Sequence, residues 1–243
     1  MTETADVVVI GGGLHGCSTA LHLAMRGVRV TLLEKDYPGR HASGVNAGGV
    51  RQLARHIAEV PISVFSMSLW EHIADLVDDD CGFSSHGQVL VAESEPELEG
   101  FRERVDDLKL RGFIHEELID RTELRKLVPA VSDQCPGGIV SRRDGAADPF
   151  RTTQAFRRKA GSLGARVHEG VVVTGLRRDG AIWRVETSVG AFEAPKIVNA
   201  AGAWADRIAA AVGDRVPLEV IPTHTFGAFD PVRGREVRGS GVS

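Results

Sequence analysis

The apolar positions at the start of the chain predict a β–α–β unit. Residues 7–10 form an unbroken apolar run, which is typical of a strand buried on both faces of a parallel sheet. Glycines follow at once, and a helical pattern then runs through residues 14–26 to Gly27, a residue type favoured just past a helix end. Residues 28–33 form a second apolar run. A strand, a glycine turn, a helix and a strand in this order are typical of a βαβ unit.

Further along the chain, the pattern predicts helices and strands in alternation and then a β-meander. Helices are predicted over residues 61–77, 94–111, 122–128, 152–163 and 203–212, and strands over residues 88–92 and 197–199. Turn dipeptides at Asp179-Gly180 and Val189-Gly190 divide residues 167–193 into the strands of the meander. Residues 226–243 show no clear period and are predicted to be irregular. Together these elements predict an α/β fold.

Composition and charge narrow the class of protein. The chain has 243 residues and a formal net charge of −4, so no overall positive field favours nucleic acid or an anionic membrane. The apolar stretch at residues 7–25 is interrupted by glycines and His15 and falls short of about 20 continuous apolar residues, so no membrane span is predicted. Residues 1–6 carry acids and no basic region, which argues against a signal peptide.

The cysteine spacing gives the expected compartment. Cys17, Cys81 and Cys135 lie far apart and form no C-x-x-C pair. This spacing argues against a disulfide framework or a zinc site and favours reduced thiols in a cytoplasmic protein. The histidines are scattered, and no metal site is predicted.

The glycines after the first strand have the spacing of a dinucleotide-binding fingerprint, Gly11-x-Gly13-x-x-Gly16. Gly11 permits the tight turn, Gly13 lets a pyrophosphate approach the backbone, and Gly16 lets the helix pack closely on the strand. Free N–H groups and the positive end of the helix dipole attract phosphate oxygens. Glu34 ends the second strand, where a carboxylate can accept hydrogen bonds from both hydroxyls of an adenosine ribose. The fingerprint predicts a dinucleotide site and disfavours NADP, but leaves FAD and NAD both open.

Four segments together resemble the D-amino-acid oxidase superfamily of flavoproteins, and within it the branch of sarcosine oxidase β-subunits and glycine oxidases. They are residues 6–36, 39–51, 171–176 and 197–204, of which the last reads Ile-Val-Asn-Ala-Ala-Gly-Ala-Trp. Many folds share the first segment, whereas the last, at its expected distance, is much more specific. The resemblance covers roughly residues 5–225 and implies an FAD-dependent oxidoreductase.

The resemblance implies a Rossmann-like FAD-binding domain with an inserted mixed-sheet substrate domain, incomplete at the C-terminus. The FAD-binding domain is expected over residues 1–83 and 150–215, a partial substrate domain over residues 84–149 and 216–225, and an irregular tail over residues 226–243. Family members continue well beyond His224, where the resemblance fades. A truncated chain is therefore expected, and a short subunit completed by a partner chain is the alternative.

The resemblance also implies which residues contact FAD. The three glycines of the fingerprint would hold the pyrophosphate, and Glu34 would hold the adenosine ribose. Residues 40–49 would run along the pyrophosphate, the backbone of Val173 would meet the adenine, and Ala201 and Gly202 would pass close to the dinucleotide. The full set of implied contacts is Gly11, Gly13, Gly16, Glu34, Lys35, Ser43, Asn46, Gly48, Gly49, Val173, Ala201 and Gly202.

Three residues near this loop bear on the chemistry. Asn46 stands where dimethylglycine dehydrogenase relatives carry a histidine bonded covalently to the flavin; asparagine cannot form that bond, so FAD is expected to be non-covalent at this position. His41 and Arg51 are the candidate catalytic residues. His41 would touch the flavin, and Arg51 aligns with an arginine near the flavin ring, where a cation would stabilise reduced flavin. The alternatives are a solvated loop histidine and a surface arginine at a helix entry.

The implied reaction is oxidation of the C–N bond of a small amino acid or secondary amine, of the sarcosine, glycine or D-amino-acid type, by hydride transfer to flavin. One alternative is a non-catalytic FAD-binding remnant or subunit that needs a partner chain. Another is an NAD-dependent dehydrogenase, which leaves the segments around Val173 and Gly202 unexplained.

Overall fold

The computed structural model describes residues 2–221, 225–230 and 235–240. The chain forms two compact units. The first unit comprises Met1–Ala47, Val77–Cys81 and Asp148–Ser243, and the second comprises Gly48–Leu76 and Gly82–Ala147. Among the described residues, none of the helices has the length and apolar character needed to cross a membrane.

The secondary structure mixes short strands and helices along the whole chain. The strands are Thr2–Thr4 (β1), Val7–Ile10 (β2), Val30–Leu33 (β3), Gly49–Val50 (β4), Ser84–Ser85 (β5), Gln88–Ala92 (β6), Glu117–Asp120 (β7), Gly137–Ser141 (β8), Gly145–Ala146 (β9), Arg166–His168 (β10), Val173–Asp179 (β11), Ile182–Thr187 (β12), Gly190–Ala194 (β13), Lys196–Asn199 (β14), Thr225–Asp230 (β15) and Arg235–Ser240 (β16). The α-helices are Leu14–Ala24 (α1), Ala42–Val45 (α2), Val60–Trp70 (α3), Ile73–Val77 (α4), Glu95–Leu110 (α5), Arg121–Leu127 (α6), Pro149–Ser162 (α7) and Ala205–Ala210 (α8). Short 3₁₀ turns cover Ile57–Glu59 and Gly202–Trp204.

A four-stranded parallel sheet, in the order β10-β3-β2-β14, lies at the centre of the first unit. Val8 pairs with Thr31 of β3 on one side and with Ile197 of β14 on the other. All four residues of β2 are buried, as an unbroken apolar run requires in a central parallel strand. The predicted βαβ unit is therefore confirmed.

A second sheet of the first unit, in the order β1-β13-β12-β11, shares a core with the parallel sheet. Val8 and Leu33 of the parallel sheet pack in one cluster with Val185 and Phe192 of the second. Burying an aliphatic or aromatic side chain of this size stabilises the fold by about 2 kcal/mol. The β-meander predicted over residues 167–193 is confirmed for its last three strands, whereas its first residues belong to β10 of the parallel sheet.

The second unit contains two three-stranded sheets, β4-β9-β5 and β6-β8-β7. β8 is the central strand of the second of these sheets, and all five of its residues are buried. Its first two residues are glycines because a Cβ at Gly137 or Gly138 would lie 2.4 Å from a backbone oxygen of the neighbouring strand. Ile139 then packs with Leu53 and with Val105 of α5.

The helix predicted over residues 61–77 is broken. α3 ends at Trp70 and α4 begins at Ile73, and between them Glu71 forms an ion pair with Arg143. The apolar residues of α3 whose helical spacing predicts this helix, Phe65 and Leu69 among them, were expected to face the core. Met67 is buried, whereas Phe65 is 63% exposed and Leu69 is 42% exposed.

The compact units and strands of the structure differ from the predicted domain limits in two places. Residues 48–76, assigned from the sequence to the FAD-binding domain, group with the second unit because β4 pairs with β9 and because the loop after β4 bonds to Asp144. Residues 226–243 were predicted to be irregular, yet β15 and β16 pair as an antiparallel hairpin. A hairpin ladder joins backbone groups and needs no apolar period. Residues 231–234 and 241–243 lie outside the described residues.

The short segment Val77–Cys81 belongs to the first unit, although the second unit precedes and follows it in the chain. Asp79 accepts from Arg151 and from Arg158 of α7, each at 2.7 Å. The side chain of Asp79 is only 13% exposed, so this acid is shielded more than a surface ion pair. The segment is thus fixed against α7 by charge as well as by packing.

Candidate nucleotide-binding site

The glycine turn between β2 and α1 is built so that two of its glycines cannot be replaced. Gly11 has φ +111°, and a Cβ there would lie 2.3 Å from the carbonyl oxygen of Ala200 and 3.0 Å from the Cα of Ala201. A Cβ on Gly16 would lie 1.8 Å from the carbonyl oxygen of Gly11. Both roles predicted for these residues, a tight turn and close helix packing, are present in the structure.

The N-terminus of α1 has no cap of its own. Gly13 is its N-cap residue and offers no side chain, and the first turn contains no acid. Instead Ser43 Oγ, 29 positions away, accepts a hydrogen bond from the Leu14 N–H at 2.9 Å. The helix therefore presents the positive end of its dipole and its first N–H groups to a short polar loop, an arrangement that suits an anion.

Because Gly12 and Gly13 have no side chains, the glycine turn stays open to a ligand. A Cβ on Gly12 would lie 2.9 Å from Cβ of Glu34, and a Cβ on Gly13 would lie 2.9 Å from Ser43 Oγ. Any side chain at either position would fill the space beside the acid and the hydroxyl. The turn thus fits the pyrophosphate of a dinucleotide, which needs direct access to backbone N–H groups.

Glu34 is buried at the carboxyl end of β3, with 6% of its surface exposed. Its Oε2 accepts from the Gly12 N–H at 2.6 Å, and its Oε1 accepts from the Asp36 N–H at 2.9 Å. Two backbone donors therefore fix the carboxylate beside the turn. Each oxygen has a second lone pair, which leaves acceptor capacity for two ribose hydroxyls.

A cluster of four side chains joins the ends of β3 and β14 beside the turn. The Lys35 ammonium lies 3.7 Å from the ring centre of Trp204, and the His41 ring lies 4.7 Å from the same ring. His41 Nε2 is 2.8 Å from Asp36 Oδ2, and this hydrogen bond lowers the pKa of the Asp36 carboxyl. Sequence reasoning gave no role to Asp36 or Trp204. The Trp204 position within the segment 197–204 was the available signal, since ligands bind at the carboxyl ends of parallel strands.

The remaining predicted FAD contacts fall into two groups. Ser43, Asn46, Val173, Ala201 and Gly202 belong to the first unit, together with the three fingerprint glycines, Glu34 and Lys35. The Asn46 side-chain amide donates to the carbonyl oxygens of Ala42 and Ser43 in the last turn of α2. Val173 packs against the core shared by the two sheets of this unit.

Three predicted site residues belong to the second unit instead. Gly48 has φ +73° and its carbonyl oxygen accepts from Ala147, while Gly49 pairs with Ala146 in the β4–β9 ladder. Arg51 follows β4 and has an exposed side chain. The predicted contact of these residues with a flavin stays a prediction.

The reactivity of the Cys17 thiol reports how tightly the residues beneath the glycine turn pack. The residue is fully buried, and burial raises the pKa of its thiol from 9.0 to about 12. Because the thiolate is the reactive form, we expect Cys17 to resist iodoacetamide at pH 8 in the folded chain and to react once the chain is unfolded. Peptide mapping by mass spectrometry measures both rates, and rapid alkylation of the folded chain would contradict this packing.

The same thiol makes the free energy of unfolding depend on pH. Its folded pKa lies above the unfolded value, so the stability that depends on the neutral thiol is fully present below about pH 9. That stability is lost as the pH rises from about 9 towards about 12. Cys17, Cys81 and Cys135 are free thiols, and no cluster of His, Cys, Asp and Glu within the described residues is arranged to hold a metal ion.

Known proteins similar to this chain include a sarcosine oxidase subunit, a glycine oxidase and a glycerophosphate oxidase. Sarcosine oxidase subunit beta of Rhizobium meliloti is 30% identical over 232 residues, which cover 92% of this chain and 55% of that subunit. The solved structure of glycine oxidase from Geobacillus kaustophilus superposes with a TM-score of 0.79 at 25% identity, over 93% of this chain and 60% of that one. L-alpha-glycerophosphate oxidase from Mycoplasma pneumoniae, solved with FAD bound, has a TM-score of 0.72 at 26% identity, over 86% of this chain and 57% of that one.

The chain therefore spans little more than half the length of each of these proteins. The fold predicted from the sequence, a mixed α/β fold of the FAD-dependent amino acid oxidase type, is confirmed. The family model described as FAD dependent oxidoreductase, DAO, matches residues 6–236, which is nearly all of the chain. The chain belongs to the DAO family of FAD-dependent oxidoreductases.

Proposed function

We propose that this chain binds FAD non-covalently at the glycine turn of the first unit and is part of an oxidoreductase that oxidises the C–N bond of a small amino acid or secondary amine. The turn between β2 and α1, with Glu34 fixed beside it by two backbone donors, is the observation that carries the proposal. The likeness to sarcosine oxidase subunit beta and to glycine oxidase supports the substrate class.

The residues of the first unit divide the binding of FAD between them. The N–H groups at the start of α1 would hold the pyrophosphate, and the Glu34 carboxylate would accept from the adenosine ribose. Asn46 has no nucleophilic atom for a bond to flavin, which supports a non-covalent cofactor. When bound, FAD supplies a two-electron acceptor for the C–H bond next to the substrate nitrogen.

The two candidate catalytic residues differ in their surroundings. His41 is engaged by Asp36 and Trp204, which supports a role in holding the loop before α2 more than direct contact with a substrate. The exposed Arg51 guanidinium is available to attract the carboxylate of an amino acid or to stabilise negative charge that develops in the reaction. Arg51 is therefore the stronger candidate for contact with substrate.

A second candidate function is an FAD-binding subunit that needs a partner chain for catalysis. The apolar side chains Ile62 and Phe65 of α3 are 70% and 63% exposed, as is typical of a surface that another polypeptide covers. The relative from Rhizobium meliloti is itself named as a subunit. Purification of FAD-loaded chain that small amino acids fail to reduce would favour this second function.

The first experiment is a visible absorption spectrum of the purified chain, repeated on the supernatant after acid precipitation. A flavin spectrum that moves to the supernatant is the expected result for non-covalent FAD, and anaerobic reduction by sarcosine, glycine and D-amino acids then tests the substrate class. A colourless chain that takes up no added FAD would contradict the proposal, and bound nicotinamide would point to an NAD-dependent dehydrogenase.

Glu34→Gln is expected to weaken FAD binding by about tenfold or more, as the loss of a charge-assisted hydrogen bond implies. The amide NH₂ of glutamine would face one of two backbone donors, Gly12 or Asp36, instead of accepting from it. Flavin fluorescence titration gives the affinity. Glu169→Gln is the matched control, since this acid of the same unit is 39% exposed and pairs with Arg157 at the surface. Equal affinity in both variants would exclude Glu34 from the site.

A further inference from the structure

The first residues of the loop Arg51–Arg55, in the second unit, are hydrogen-bonded to a buried acid. Asp144 is fully buried, and its carboxylate accepts from the Gln52 and Leu53 N–H groups, both at 2.9 Å. Ser141 Oγ adds a further hydrogen bond to the same carboxylate at 2.8 Å. Asp144 lies 92 positions from Gln52, so the loop is held by tertiary contact and not by its own turn.

The last residues of the same loop are hydrogen-bonded to the ion pair of Glu116 and Arg104. Glu116 is 3% exposed and accepts from the Ala54 N–H at 2.8 Å. Arg104 donates to both oxygens of Glu116, at 2.7 and 2.8 Å, and also to the carbonyl oxygen of Arg55 at 2.8 Å. Ala54 has φ +55°, a left-handed conformation that a non-glycine residue rarely adopts. Three successive N–H groups and one carbonyl of the loop are thus held by buried charges.

His115 lies beside this network without adding charge to it. Its ring has no hydrogen-bond partner within the described part of the chain, and Nε2 is 3.6 Å from Glu116 Oε1. Burial lowers the pKa of His115 from 6.5, although Glu116 and Asp144 act in the opposite direction. The imidazole is therefore neutral at pH 7, and Arg104 is the cation that balances Glu116.

The loop Arg51–Arg55 is held by two buried carboxylates, those of Asp144 and Glu116, which is unusual for a loop at the surface. Taking a carboxylate out of water is costly unless every oxygen is bonded, and strained backbone persists where the surroundings enforce it. Of the two arginines in this loop, Arg55 donates from its Nε to the carbonyl oxygen of Arg51 at 3.4 Å, whereas the Arg51 side chain makes no hydrogen bond among the described residues. Arg51 makes no ion pair within the described residues, and its side chain points from a loop whose backbone is held on both sides.

We infer that Asp144 and the Glu116–Arg104 pair are positioning residues, which hold the loop Arg51–Arg55 so that the Arg51 guanidinium is presented, unpaired, to a carboxylate. The inference rests on the proposed function, in which Arg51 meets the carboxylate of an amino-acid substrate. Neither buried acid forms an ion pair with the Arg51 guanidinium among the described residues, so the two acids hold the backbone next to Arg51 and leave its charge unpaired.

Glu116→Gln in the full chain tests the inference, with Glu117→Gln as the matched control. Glu117 is the next residue, its side chain is 49% exposed, and it pairs with Arg142. Hydrogen exchange by mass spectrometry follows the amides of residues 52–54, and NMR of the Arg51 guanidinium follows the titration with acetate, a minimal carboxylate. In Glu116→Gln we expect exchange to be faster by about tenfold or more and acetate affinity to fall by a similar factor, while Glu117→Gln matches the unchanged chain.

Three results would overturn the positioning role. They are unchanged exchange at residues 52–54, faster exchange with unaltered acetate affinity, and no acetate binding at Arg51 in the unchanged chain. Should Glu116→Gln fail to fold, Arg104→Lys takes its place, because lysine keeps the positive charge but cannot donate a bidentate pair of hydrogen bonds to Glu116. Failure of amino acids to reduce the FAD-loaded chain would instead refute the proposed function, while exchange and acetate binding still decide the role of Glu116.

Discussion

Replacing Gly16 by alanine is expected to destabilise the first unit by about 2 kcal/mol or more and to abolish FAD binding. Helix propensity alone favours alanine over glycine inside α1 by about 1 kcal/mol. A Cβ at this position would, however, lie 1.8 Å from the backbone oxygen of Gly11, which cannot rotate away as a side chain does. Overpacking against backbone costs about 1–3 kcal/mol or more, so the collision outweighs the propensity. Chemical denaturation and flavin fluorescence measure the two effects.

Gly161→Ala is the matched control for this substitution. Gly161 lies in α7 of the same unit, and a Cβ there would meet nothing within 4 Å. With no collision, helix propensity acts alone, and this variant should be more stable than the unchanged chain by about 1 kcal/mol and should keep its affinity for FAD. A Gly16→Ala variant as stable as Gly161→Ala would show that α1 can shift away from β2 at little cost.

Asp144→Ala is expected to cost about 3–5 kcal/mol of stability, measured as the free energy of unfolding in urea. Removal of this carboxylate leaves the N–H groups of Gln52 and Leu53 and the hydroxyl of Ser141 without their acceptor. The side-chain amide of Gln52 also donates to this carboxylate, so four donors share one acid. Each buried donor that loses its partner costs about 1–3 kcal/mol.

Asp106→Ala is the control, because it measures how much stability is lost when an exposed acid of the same unit is removed. Asp106 belongs to α5 of the same unit, is 64% exposed and pairs with Lys109 at 3.6 Å. An exposed pair of this kind contributes about 0–1 kcal/mol. If Asp144→Ala lost no more stability than Asp106→Ala, water would be replacing the carboxylate, and the loop after β4 would be less dependent on it than its hydrogen bonds indicate.

The parts of the fold that were predicted from sequence rest on local signals. An unbroken apolar run and a glycine turn gave β2 and the start of α1, because a buried parallel strand and a tight turn each restrict residue type within a few positions. α5 and α7 were predicted over residues 94–111 and 152–163 and are observed at Glu95–Leu110 and Pro149–Ser162. Glu34 was predicted beside the turn for the same reason, since it follows directly from the end of β3.

The parts that sequence could not give depend on distant contacts. Asp144 stands after two arginines, a pattern typical of an exposed turn, and only contact with residues about 90 positions away makes it a buried acceptor. Helical spacing in α3 predicted an apolar side, but which side faces the core was decided by the neighbours of Met67. The contact of Lys35 with Trp204 likewise exists because β3 and β14 end at the same edge of one sheet.

The ion pairs of Asp79 limit how the protein can be divided. A single excision of residues 48–147 would remove the whole second unit, but it would also remove Val77–Cys81, which belongs to the first. Arg151 and Arg158 would lose their acid, and the Asp148 N–H would lose the Cys81 carbonyl that accepts from it at 2.9 Å. The five-residue segment therefore makes the first unit inseparable by one deletion, and removal of the second unit alone needs two deletions, of residues 48–76 and 82–147.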